Sequence, residues 1–180
     1  MQKTLFVLIF ILSSINLIMA QEEHKVTDIE LAGSTSIITG NLADGATMPI
    51  RWAESSQVAC FPGTRFVEFQ GNHVLYRMVM PAYSELKITV TPKDRKNRTN
   101  IYALRLGANN YDLPPNISSA ISCEAGYPLY AGNPNLRAPA QPQSVEYISV
   151  NKPYNIVIGV AGAKDVLAGE FELKIELKSR

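Results

Sequence analysis

Two cysteines and two histidines bound what this chain can catalyse. Cys60 and Cys123 are its only thiols, and His24 and His73 its only imidazoles. A cysteine nucleophile needs a base to hold it as thiolate, and an acyl-transfer triad needs a nucleophile, a histidine and an orienting carboxylate. His24 falls in an N-terminal stretch, no G-x-S-x-G occurs, and His73 opens an alternating run just after Gln70-Gly71-Asn72. His73 therefore reads as a turn histidine at a strand mouth. Two thiols and one useful histidine also make a poor zinc site.

Carboxylates are the other catalytic resource. Partners for glycoside hydrolysis can lie far apart in sequence. Glu172 and Glu176, however, alternate with apolar residues and read as the wet face of a strand. Glu54, Asp112 and Glu124 are loop acids that could join backbone carbonyls around a cation, but no D-x-D-x-D-G pattern supports calcium. No catalytic residue, metal ligand or cofactor is assigned.

Binding chemistry is better supplied. Trp52, Tyr83, Tyr111, Tyr127 and Tyr130 fall in predicted loops or at strand edges. A flat aromatic ring can stack on the apolar face of a sugar. Tyr127 and Tyr130 cluster with Asn133 and Asn135, whose amides could hydrogen-bond hydroxyl groups. Trp52, in PIRWAES, fits a core position better than a binding one, whereas the tyrosine cluster fits packing and binding equally. Asn97-Arg98-Thr99 and Asn116-Ile117-Ser118 match the glycosylation sequon, usable only if the producing cell carries that pathway.

These side chains are positioned by elements of period two. Phe171, Leu173, Ile175 and Leu177 alternate with Glu170, Glu172, Lys174, Glu176 and Lys178, the pattern of a half-buried antiparallel strand. Tyr154, Ile156, Ile158 and Val160 share one side of the preceding run. The two runs, KPYNIVIGV and GEFELKIEL, flank a loop with Lys164 and Asp165 and read as a closing hairpin. Upstream, Val74 to Met80, Leu86 to Val90, Tyr102 to Leu106 and Val145 to Ser149 alternate in the same way. Pro81-Ala82-Tyr83-Ser84 has the length of a hairpin turn. Residues 93–100 read as a solvated loop, and the proline-rich stretch 128–142 as a long irregular connection. No helix of ten residues is expected beyond the N-terminus. The fold class is all-β: an antiparallel sandwich or jelly roll of about eight strands.

The first twenty residues place this domain. Lys3, the apolar run Leu5 to Leu12 and a small residue at Ala20, followed by Glu22 and Glu23, form a cleavable signal peptide. Residues 21–180 then make one domain, secreted, periplasmic or on the cell surface, with no later membrane span. In an exported chain an even cysteine pair forms a disulfide, here Cys60 to Cys123. Seventeen basic and sixteen acidic residues are mixed along the chain, so no basic stripe suggests nucleic acid.

HVLYRMVMPAYSELKITVTP (73–92), NIYALRLG (100–107) and PYNIVIGVAGAKDVLAGEFELKIEL (153–177) resemble the strands of the bacterial pre-peptidase C-terminal domain family. The resemblance covers residues 66–177 and lies in fold patterns rather than chemistry. It implies a small β-sandwich module of exported proteins, of a kind often appended to secreted hydrolases for targeting, substrate binding or surface attachment. No catalytic sequence precedes it here, so the module is expected to act alone or with another chain. Ala103 and Arg105 stand where the family's central strand carries acids, so the calcium role of relatives is not expected. The functional expectation is a non-catalytic binder of a protein or glycan at the loop end of the sandwich. A small hydrolase using dispersed carboxylates and a structural subunit of a surface assembly are the alternatives.

Overall fold

The computed structural model of the protein describes residues 24–128 and 140–180. Alternating apolar residues there build nine strands: β1 (Val26–Asp28), β2 (Thr35–Asn41), β3 (His73–Met80), β4 (Ser84–Pro92), β5 (Thr99–Gly107), β6 (Ser122–Gly126), β7 (Gln143–Ser149), β8 (Tyr154–Gly162) and β9 (Glu170–Ser179). One sheet has the order β1-β3-β8-β5-β6 and the other β2-β9-β4-β7. Pairing is antiparallel except for the three-residue β1, which runs parallel to β3. The expected sandwich is therefore present, with a short parallel edge and more strands than expected.

Its connectivity corrects two expectations. β8 and β9 are not a hairpin: β8 pairs with β3 and β5 in the first sheet, and β9 with β2 and β4 in the second. The turn at residues 81–83 likewise carries the chain from β3 in one sheet to β4 in the other. Only β5 and β6 are both consecutive and paired. Alternation marks which face of a strand is buried and leaves its neighbour open. Strands in facing sheets bury side chains into one shared layer. So Phe171, Leu173 and Ile175 do meet Ile156, Ile158 and Val160 in the main core, but from across the sandwich.

β5 and β8 are buried on both faces. Ile101, Ala103, Ile156, Ile158 and Val160 point into the main core, while Tyr102, Leu104, Leu106, Val157 and Ala161 point outward into a second apolar cluster. That cluster is roofed by residues 42–69, which contain the short 3-10 helices η1 (Leu42–Asp44), η2 (Arg51–Glu54) and η3 (Gly63–Phe69). Phe61 stacks on Phe69 at 4.0 Å between centroids, and Trp52 lies 5.3 Å from Tyr102, so Trp52 is core. The Tyr102 ring occupies the space a side chain would need at Gly159, directly opposite it in the β5–β8 register. Full burial of each such aromatic stabilises the fold by about 1.5–3 kcal/mol. Cys60 and Cys123 form a disulfide, with Cα atoms 4.7 Å apart, that ties the roof to edge strand β6. Among the described residues no helix is long and apolar enough to cross a membrane.

Candidate functional site

Strand direction sorts the loops into two poles. Residues 29–34, 81–83, 150–153 and the start of 108–121 lie at one pole, and residues 93–98, 163–169 and the two ends of the roof segment 42–72 at the other. This separates the tyrosines that the sequence suggested. Tyr83 and Tyr111 belong to the first pole, and both are more than half exposed. Tyr127 follows β6 at the opposite pole, half-buried edge-on against Phe69 at 5.7 Å with Arg65 over its ring. Tyr130, Asn133 and Asn135 lie outside the described residues.

Among the described residues, more large apolar side chains are exposed at the first pole than at the second. Val79, Ile148 and Val150 join Tyr83 and Tyr111 there as more-than-half-exposed side chains. A groove of about 330 Å³ opens beside Tyr111, lined by Asp28, Glu30, Arg77, Val79 and Asn155 among others. Its polar groups are pre-set. Arg77 Nε donates to Asp28 Oδ1 at 2.7 Å and Nη2 to Oδ2 at 3.0 Å, a bidentate pair. Those hydrogen bonds hold the Asp28 carboxyl below its usual range and raise Arg77. The guanidinium sits 5.6 Å from the centre of the Tyr111 ring. Asn155 Nδ2 donates to Ala108 O at 3.0 Å and Asn110 O at 2.9 Å, fastening the loop that carries Tyr111. A larger hollow, about 800 Å³, crosses the outer face of the second sheet. It is lined by alternating charges, including the Lys87–Glu146 pair at 2.8 Å.

Among the described residues, the groups weighed for catalysis are buried or stand apart from one another. His73 opens β3 but is 1% exposed; its Nε2 lies 2.8 Å from Phe69 O and its Nδ1 3.1 Å from the Tyr102 hydroxyl. A carbonyl can only accept, so Nε2 carries the proton and Nδ1 accepts from Tyr102. Burial pushes its pKa down to about 4. The loop acids are dispersed: Glu54 Oε1 accepts from Gly63 N, Asp112 Oδ2 accepts from Ser118, and Glu124 lies on β6. Among the described residues no three His, Cys, Asp or Glu gather as a metal site. Arg105 places its guanidinium 5.8 Å from Tyr147 and 5.1 Å from Tyr154, where the resemblance would put an acid. Glu68, which the sequence did not single out, is fully buried with Arg98 Nη1 at 3.7 Å as its counter-charge. Of the sequon asparagines, Asn116 is exposed in the 108–121 loop, whereas Asn97 is half-buried against Gly169.

No family model matches the chain, and no curated protein matches it. Several solved structures do. PliG of Aeromonas hydrophila, a periplasmic inhibitor of g-type lysozyme, is 8% identical, covering 85% of this chain and 96% of that one, with a TM-score of 0.45. The pre-peptidase C-terminal domain of collagenase from Bacillus anthracis is 13% identical over 87% and 97% of the two chains, with a TM-score of 0.39. CorA, a surface-associated copper-binding protein of Methylomicrobium album BG8, is 10% identical over 87% and 98%, with a TM-score of 0.42. The collagenase domain comes from the family whose strands the sequence resembles. At this level of similarity neither lysozyme inhibition nor copper binding passes to this chain.

Proposed function

We propose that this protein is an exported, non-catalytic binding module that engages a protein or glycan through the pole bearing Tyr83 and Tyr111. The observation that carries this reading is the Tyr111 ring, exposed yet fixed over the Arg77–Asp28 pair at the rim of a groove. An aromatic surface held in place before binding loses little entropy when a ligand stacks on it, and the flanking polar groups supply orientation. Tyr83 adds a second sign. Its φ of 55° is a left-handed conformation that costs a bulky residue on the order of 1 kcal/mol. Export is supported by the leader-like residues 1–20 and by the disulfide. The domain spans residues 21–180 in this reading, and Asn116 is the more accessible position for a glycan.

Hydrolysis is the less favoured reading, because Asp28, one of the two carboxylates lining the groove, is held as an anion by Arg77 and is a poor general acid. Glycan arrays and pull-downs from extracellular extracts test the proposal. Tyr111→Ala and Tyr83→Ala should each weaken capture at least tenfold, while Tyr127→Ala leaves it unchanged. Silence of a folded sample in both assays, or turnover of chromogenic glycosides or peptides, would overturn it.

A further inference from the structure

The exposed edge of the second sheet points to a partner that the binding pole does not involve. In an antiparallel pair, residues alternate between those whose backbone groups bond the neighbour and those whose groups point away. Leu177 N donates to Ser34 O at 2.8 Å and Leu42 N to Gly169 O at 3.0 Å, which marks the even-numbered residues of β2 as those bonded to β9. The N–H and C=O groups of Thr35, Ile37 and Thr39 therefore face outward, and among the described residues no backbone group pairs with them.

Natural sheets blunt such edges with charge, proline, bulges or brevity. β1 is three residues long and carries Asp28, β6 carries Glu124 and the disulfide, and β7 carries Glu146. β2, with the sequence TSIITGN, has no charge and no proline over seven residues. Ile37 at its centre is 60% exposed.

We propose that β2 pairs with β2 of a second copy of this chain, antiparallel about a two-fold axis. The outward residues fix the register: Ile37 opposes Ile37 of the other copy, and Thr35 opposes Thr39. Each opposed pair exchanges two hydrogen bonds, so the seam holds about six. On the solvent face the same register sets isoleucine against isoleucine and threonine against threonine, favourable β-branched cross-strand pairs. The seam is self-complementary, as a two-fold contact must be. β2 itself brings no charge to the seam, and the charged residues of the two β9 strands lie three strand spacings apart, about 14 Å, beyond the screening length of about 8 Å at physiological salt. The two four-stranded sheets become one of eight, with the binding poles facing opposite ways. A seven-residue seam buries less than the roughly 1,200 Å² typical of stable interfaces, so the dimer is weak and depends on concentration.

Sedimentation velocity over a concentration series, paired with amide exchange, tests this. The wild-type protein should shift from monomer to dimer, and the amides of Ile37 and Thr39 should slow in step while those of Ser36 and Ile38 stay protected throughout. Ile37→Lys sets like charges face to face on the two-fold axis, and Thr39→Pro removes an outward donor that the monomer does not use. Each should raise the dissociation constant at least tenfold without altering the monomer's melting temperature by more than a few degrees. A monomer at every soluble concentration overturns the proposal, as does a dimer indifferent to both variants. So does protection of Ile37 and Thr39 in dilute monomer, which would show the edge already covered.

Discussion

His73 couples the stability of this domain to pH. Folded, its imidazole is walled in by Phe69 and Tyr102, and its pKa falls from 6.5 to about 4 because burial penalises the charged form. Between those values the unfolded chain takes up a proton that the folded protein refuses. The stabilisation is complete above pH 6.5 and is lost as pH falls towards 4, a difference on the order of 3 kcal/mol. Urea midpoints measured from pH 7 to pH 4 should therefore drop more steeply in the wild type than in His73→Phe, which has nothing to titrate there. Parallel curves would show that His73 reaches solvent. The position of this histidine before a strand was legible in the sequence. Its burial was not, because the roof that encloses it comes from residues 42–69, which carry little alternation.

At the scale of the element, β9 shows how far alternation reaches. Leu173 is fully buried between Ile38 of β2 and Val90 of β4, whereas Glu172 lies on the opposite, solvent-facing side paired with Lys93 at 3.1 Å. Leu173→Ala should cost about 2–5 kcal/mol through the cavity it leaves. Glu172→Ala should cost no more than about 1 kcal/mol, the range of exposed ion pairs. Denaturant melts of the two variants separate these values, and equal losses would mean that the face of β9 is misassigned. Nothing in that contrast depends on which strand is the neighbour. That is why the buried face was readable from GEFELKIEL while its partners, β2 and β4 rather than β8, were not.

Across the whole molecule, the disulfide joins parts that are distant in sequence. It closes a separation of 63 residues and clamps the roof against β6. Replacing both Cys60 and Cys123 by alanine should destabilise the domain by about 2–5 kcal/mol while leaving far-ultraviolet circular dichroism unchanged. The oxidised protein should also weigh two hydrogens less than its dithiol form by non-reducing mass spectrometry. Unchanged stability would assign the roof's attachment to the packing of Trp52, Phe61 and Phe69 alone.

Composition, cysteine count and the period of the apolar residues were enough to read an all-β sandwich, the cysteine pair and the buried face of β8 and β9. Each of these follows from local rules: an extended chain sends successive side chains to opposite faces, and two thiols in an oxidising compartment pair. The strand order, the crossing of nearly every connection between sheets, and the second cluster over β5 and β8 were decided only in three dimensions. They depend on which apolar faces meet, and many neighbours satisfy the same alternation. The separation of Tyr83 and Tyr111 from Tyr127 has the same origin. Proximity in a sandwich is set by the end of the strand from which a loop leaves, and Tyr127 leaves β6 at the pole far from Tyr83.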